Sequence, residues 1–271
     1  MAFSIALGKN QNIRNFEESY SQEKTIPSYP KIGSKYISGG GGTYRFFKLL
    51  SQNCKWTARL AQKLCWNPDT INTIFKTGKN FHFVSKNLIL TKIPHTLVEL
   101  DKSYKDYKIA NDKEVIRKRD SLAKKITETI ADFSFLFQFG ELLALYNLGT
   151  ILSPSVQFAG SLFLIFQSTI GLKMEAEDFI DHRQMQKEID NQKNPISRVK
   201  KILHEIRNLD LLKIAKSITA LVVAYLFLYE LIFQVALVSS TTVLCIATVS
   251  TVTAIWTHFY QESMTYQVIK K

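Results

Sequence analysis

Two acidic residues stand where acids are costly. Glu141 is the only charge between Phe133 and Leu172, and Glu230 is the only one between Ser217 and Phe259. A carboxylate inside an apolar run is protonated, bonded to a neighbour, or used, as in the proton relays of transporters. The two contexts are faintly alike: Phe135-Leu136-Phe137-Gln138-Phe139-Gly140-Glu141-Leu142-Leu143 against Leu226-Phe227-Leu228-Tyr229-Glu230-Leu231-Ile232-Phe233. A duplicated hairpin would leave such a trace. Transport of a small solute through Glu141 and Glu230 is one expectation, and hydrogen bonding to a neighbouring helix is the other.

Other chemistry has no carrier in the sequence. His82, His95, His182, His204 and His258 show no metal-ligand spacing. Cys54, Cys65 and Cys245 form neither a disulfide framework nor a zinc pattern. The run Gly39-Gly40-Gly41-Gly42 is followed by Thr43-Tyr44-Arg45. A phosphate loop would continue with Lys and Ser or Thr. No catalytic residue, no metal and no cofactor is expected, and the chain reads as non-enzymatic.

The strongest local pattern lies at residues 44–66. At 100° per residue, Arg45, Lys48, Lys55, Arg59 and Lys63 fall in one sector, and Phe46, Phe47, Leu50, Cys54, Ala58, Ala61, Leu64 and Cys65 cover the other side. Trp56 and Leu60 flank the two, and no acid interrupts the stretch. A helix with one basic and one apolar, aromatic-bearing face suits the surface of an anionic membrane. The same pattern also suits a packing helix with a solvated basic face. The membrane-binding set is therefore Arg45, Phe46, Phe47, Lys48, Leu50, Lys55, Trp56, Arg59 and Lys63.

These features need elements to hold them. Asn67-Pro68-Asp69 is a helix break and restart. A second amphipathic helix is expected over 70–92, ended by Pro94, and one long solvated helix over 97–130. Each of the two apolar runs is about 40 residues long, twice the ~20 that one crossing needs. Two hairpins, or about four membrane helices, follow, with turns at Ser153-Pro154 and near Ser239-Ser240-Thr241-Thr242. One-leaflet wedges are the alternative. In the last run Ala247, Ser250, Thr251 and Ala254 permit close helix packing, and Trp256 and Tyr260 suit an interfacial belt. Asn194-Pro195 suits the start of a further helix.

The expected fold is an all-α membrane protein in six parts. Residues 1–43 form a disordered polar tail with a glycine hinge, and 44–131 a basic amphipathic helical region. Residues 132–172 form hydrophobic hairpin 1, 173–216 a charged helical linker, 217–259 hydrophobic hairpin 2, and 260–271 the C-terminal tail. The net charge is +12, and almost all of the excess precedes Asp132. Since the turns carry no Lys or Arg, the positive-inside rule puts both termini and the linker in the cytosol. Met1–Lys9 lacks the basic start of a secretory signal, and Tyr266–Lys271 matches neither the SKL nor the KDEL address. The expected partners are anionic lipids and either a second copy or a helical protein, with no nucleic acid.

The order of parts resembles the peroxisomal peroxin-eleven family of membrane-elongating proteins. Lys55-Trp56-Thr57-Ala58-Arg59-Leu60-Ala61-Gln62-Lys63-Leu64-Cys65 stands at that family's basic helix, and Val84–Lys92 resembles its later basic stretch. Phe135–Thr150 and Val238–Trp256 resemble its hydrophobic parts. The family's Arg-Asp-Lys signature is absent. The resemblance implies a protein that bends a bilayer during organelle proliferation. The polar start and the paired apolar lobes are also similar to chlamydial inclusion membrane proteins. That likeness implies insertion in a host-derived membrane, with cytosolic helices displayed to host partners.

Overall fold

The computed structural model describes residues 26–264 apart from 39, 113, 144, 146, 147 and 192–196. The expectations for Met1–Lys9, Asn194-Pro195 and Tyr266–Lys271 fall outside the described residues. Eight α-helices, and no strand, are found among the described residues. They are α1 (Tyr29–Ser38), α2 (Gly40–Lys63), α3 (Pro68–Asn87), α4 (Ile89–Lys108), α5 (Val115–Leu142), α6 (Gly149–Asp190), α7 (Ser197–Phe233) and α8 (Ser240–Ser263).

Local chemistry sets several boundaries. Asn67 caps α3 by accepting the Asp69 N–H at 2.8 Å, and Pro68 occupies the first helical position. Ser239 caps α8 by accepting the Thr242 N–H at 3.1 Å. Gly149 opens α6 with φ +72°, a left-handed conformation that glycine adopts without strain. α2 and α3 form an antiparallel hairpin whose closest approach is at Gly78. A Cβ there would lie 2.9 Å from the Cys54 Cβ, and the Ser51 hydroxyl donates to the Gly78 carbonyl at 2.8 Å.

The boundaries correct the sequence expectations at several points. Gly40–Gly42 of the glycine run are the first residues of α2, Gly39 lies outside the described residues, and α1 occupies part of the presumed tail. A Cβ on Gly42 would lie 1.8 Å from the Tyr36 carbonyl oxygen, so close contact between α1 and α2 explains that glycine. Pro94 and Ser153-Pro154 break nothing. Both prolines lie inside helices, as the sixth residue of α4 and of α6. At that position each proline forfeits one intrahelical bond, to the carbonyl four residues before it, without ending the helix. The helix foreseen over 70–92 ends at Asn87, and the one over 97–130 is divided by a turn between Lys108 and Val115.

The first apolar turn lies upstream of its expected place, between Leu142 and Gly149, and the second covers residues 234–239. The apolar end of α5, from Phe133 to Leu142, is too short for a full crossing at 1.5 Å per residue. Among the described residues, three helices, against the four or so expected, are long and apolar enough to cross a membrane: Leu152–Asp190, Arg198–Phe233 and Ser240–Ser263.

The bundle is zipped by antiparallel pairs. α5 meets α6 through Arg117–Asp178 and Lys173–Asp120, both at 2.5 Å. α6 meets α7 through Ser217 donating to Glu175 at 2.5 Å, and through His182 and Asp210 at 2.7 Å. A buried apolar cluster, with Ile189, Val199, Ile202, Leu203, Ile206, Leu209 and Met264, sits at the charged end of α6, α7 and α8. The apolar runs are the reverse, since only 17% of each membrane-length window is buried. Water would not tolerate so much bare apolar surface. The charged end folds as a soluble protein does, and the apolar ends are finished by lipid.

Candidate membrane-contact surface

α2 holds the basic set foreseen from the sequence, and its apolar residues are divided between two tasks. Ala58 and Ala61 are buried together with Ser51 and Gln52. Phe46, Leu60 and Leu64 stand exposed. Phe47 packs on Phe81 of α3 with ring centres 6.1 Å apart, and Leu50 is half-buried. One inward stripe of small residues therefore packs, and the large side chains left over face outward.

The basic residues are divided as well. Lys48 lies 5.8 Å over the Tyr44 ring. Arg45 and Lys55 are half-buried. Burial pushes the Lys55 ammonium below the usual lysine range, and Arg59, Lys86 and Lys48 push it further. Trp56 Nε1 donates to Thr248 Oγ1 at 3.2 Å, and Arg59 donates to Ser240 Oγ at 3.1 Å and Thr241 Oγ1 at 2.5 Å. Lys63 is exposed. Two of the nine residues expected to bind a membrane, Trp56 and Arg59, thus hold α8. Arg59 thereby reaches the first residues after the second turn, which itself carries no Lys or Arg.

On α8, Thr251 is buried and donates to the Ala247 carbonyl at 2.9 Å, while Ala247, Ser250 and Ala254 are half-buried. The two intramembrane acids have unlike surroundings. Glu141 accepts a 2.7 Å hydrogen bond from Ser153 across the α5–α6 pair, and Glu230 is exposed on α7. Neither lines the apolar groove of about 390 Å³ between α5 and α6, nor the polar groove of about 540 Å³ at the far end of α6 and α7.

Sequence reasoning missed an ion network between α4 and α5. Lys92 bridges Glu128 at 3.0 Å and Asp132 at 2.9 Å, Thr96 donates to Asp132 at 3.1 Å, and Lys125 joins Glu128 to Glu99. Burial alone would raise the Glu128 carboxyl, but Lys92 and Lys125 outweigh it and hold it down to about 2. Lys92 is raised in turn by Glu128 and Asp132, against the opposing effect of burial. The signal was present. Lys92, Thr96 and Glu99 share one helical face, as do Lys125, Glu128 and Asp132.

The fold and its bare apolar surface define an all-α, membrane-embedded protein. Compared with known proteins, the chain matches no family model, no curated protein and no solved structure.

Proposed function

We propose that this is a non-enzymatic integral membrane protein that shapes or organises an organelle membrane. The observation that carries this is α2, which bears five Lys or Arg and no acid, and turns Phe46, Leu60 and Leu64 outward beside the membrane-length helix α8. Basic charge selects an anionic surface, and outward apolar side chains enter it. The full chain should float with anionic vesicles and deform them into tubules. Binding without a change in vesicle shape would remove the shaping role.

A second role is favoured by the charged hairpin of α6 and α7, which carries its own buried core away from the apolar segments. Such a body suits the display of a docking surface to a helical partner or a second copy. Localisation of tagged protein separates the two family resemblances: peroxisomes for one, a bacterial inclusion boundary for the other. A solute transporter using Glu141 and Glu230 has less support, since neither acid lines either groove.

A further inference from the structure

α2 lies antiparallel along α8 for most of its length. At one end Gly42 abuts Tyr36, whose ring stacks on His258 at 4.6 Å. In the middle Trp56 holds Thr248, and at the other end Arg59 holds Ser240 and Thr241. One flank of α8 is therefore covered by a helix carrying Lys48, Lys55 and Arg59, which hydrocarbon would not accept. The end of this pair is bare.

Two bends meet there. The α2–α3 corner follows Lys63, and the α7–α8 turn immediately precedes Ser240. Leu60, Leu64 and Trp66 stand exposed from the corner, and Phe233, Val235 and Leu237 from the turn. Each set alone is small. The Arg59 hydrogen bonds to Ser240 and Thr241 place the two bends at the same end of the α2–α8 pair, beside the membrane-length helices α7 and α8. Arg59 and Lys63 border that end, and neither α2 nor the turn contains an acid. Basic residues behind an apolar tip, with a tryptophan among them, match lipid phosphates above acyl chains.

We infer that the α2–α3 corner and the α7–α8 turn form one composite tip that enters a single leaflet of an anionic membrane. This rests on the membrane-shaping function proposed above and names the surface that engages the lipid. Both bends then share one side of the bilayer. The corner is not a cytosolic element facing a turn on the opposite side.

The test uses the full-length protein in vesicles of phosphatidylcholine and phosphatidylglycerol. Cys54 and Cys245 are replaced by Ala and Ser, Cys65 is kept, and Leu237→Cys is added. A short bis-maleimide should join positions 65 and 237 within one chain in the vesicles. Bends in opposite leaflets would be separated by roughly 30 Å of hydrocarbon and could not be joined. A polarity-sensitive dye on Cys65 alone, and on Leu237→Cys alone, should be quenched alike by spin-labelled lipid. Arg59→Gln should abolish the cross-link and cut quenching at position 65 several-fold, leaving position 237 quenched. No cross-link in vesicles that hold the protein, or a position-65 dye that reports water there, overturns the composite tip while leaving membrane binding intact. Failure to bind the vesicles at all overturns both.

Discussion

Lys92 and Asp132, forty residues apart in the chain, are joined by a 2.9 Å ion pair that fastens α4 to α5. Asp132 is buried and also receives Thr96, so the pair is held in one geometry. Removing one partner from a buried pair costs about 3–5 kcal/mol, because the other charge is left stranded. Lys92 retains partial exposure, which moderates the cost. Asp132→Ala should lower stability by about 3 kcal/mol in detergent denaturation. Lys92→Met with Asp132→Leu should cost clearly less than either single change.

The network also dictates an acid response. Glu128 is held at about 2 in the folded protein, against an ordinary 4.5. Its contribution is therefore complete above pH 4.5 and fades as pH falls toward 2. It amounts to on the order of 3 kcal/mol, from the size of the displacement. The denaturation midpoint should drop across that window, and Glu128→Gln should flatten the drop while lowering stability at neutral pH.

Gly78 faces the Cys54 Cβ where α2 crosses α3. Gly78→Val should push the helices apart and cost about 1–3 kcal/mol, seen as a lower thermal midpoint. Cys54→Gly in the same chain should recover part of the loss, since it clears the opposing atom.

Glu141 bonds Ser153 and stands in no shared site with Glu230. Glu141→Gln keeps an acceptor for the serine and should change stability by less than about 1 kcal/mol. Glu141→Leu should cost more, by leaving the hydroxyl unpaired. Loss of solute flux across vesicles on Glu141→Gln would instead restore the transport role.

Parts of this fold were legible and parts were not, for identifiable reasons. The break at Asn67-Pro68 was plain because cap and proline act locally, within one helical turn. Pro94 and Pro154 misled because proline was taken as a stop, although both fall near helix starts. The true first turn was marked by Gly149, a residue with no charge or proline beside it to draw notice. The pairing of Arg59 with Ser240 and Thr241 spans more than half the chain and leaves no local trace. The apolar character of α6, α7 and α8 was legible from composition, since lipid-facing helices need no partner pattern.

The 42 residues of α6 form one unbroken helix, roughly 63 Å long at 1.5 Å per residue. Its apolar part ends at Leu172, and the charged remainder continues to Asp190, a further 27 Å or so. Ion pairs to α5 and buried contacts with α7 brace it on the way. A lipid surface near Leu172 would make this hairpin a strut of fixed height. It would hold any body resting on its far end at a set stand-off, so that two membranes decorated with this protein could approach one another only to the thickness of their struts.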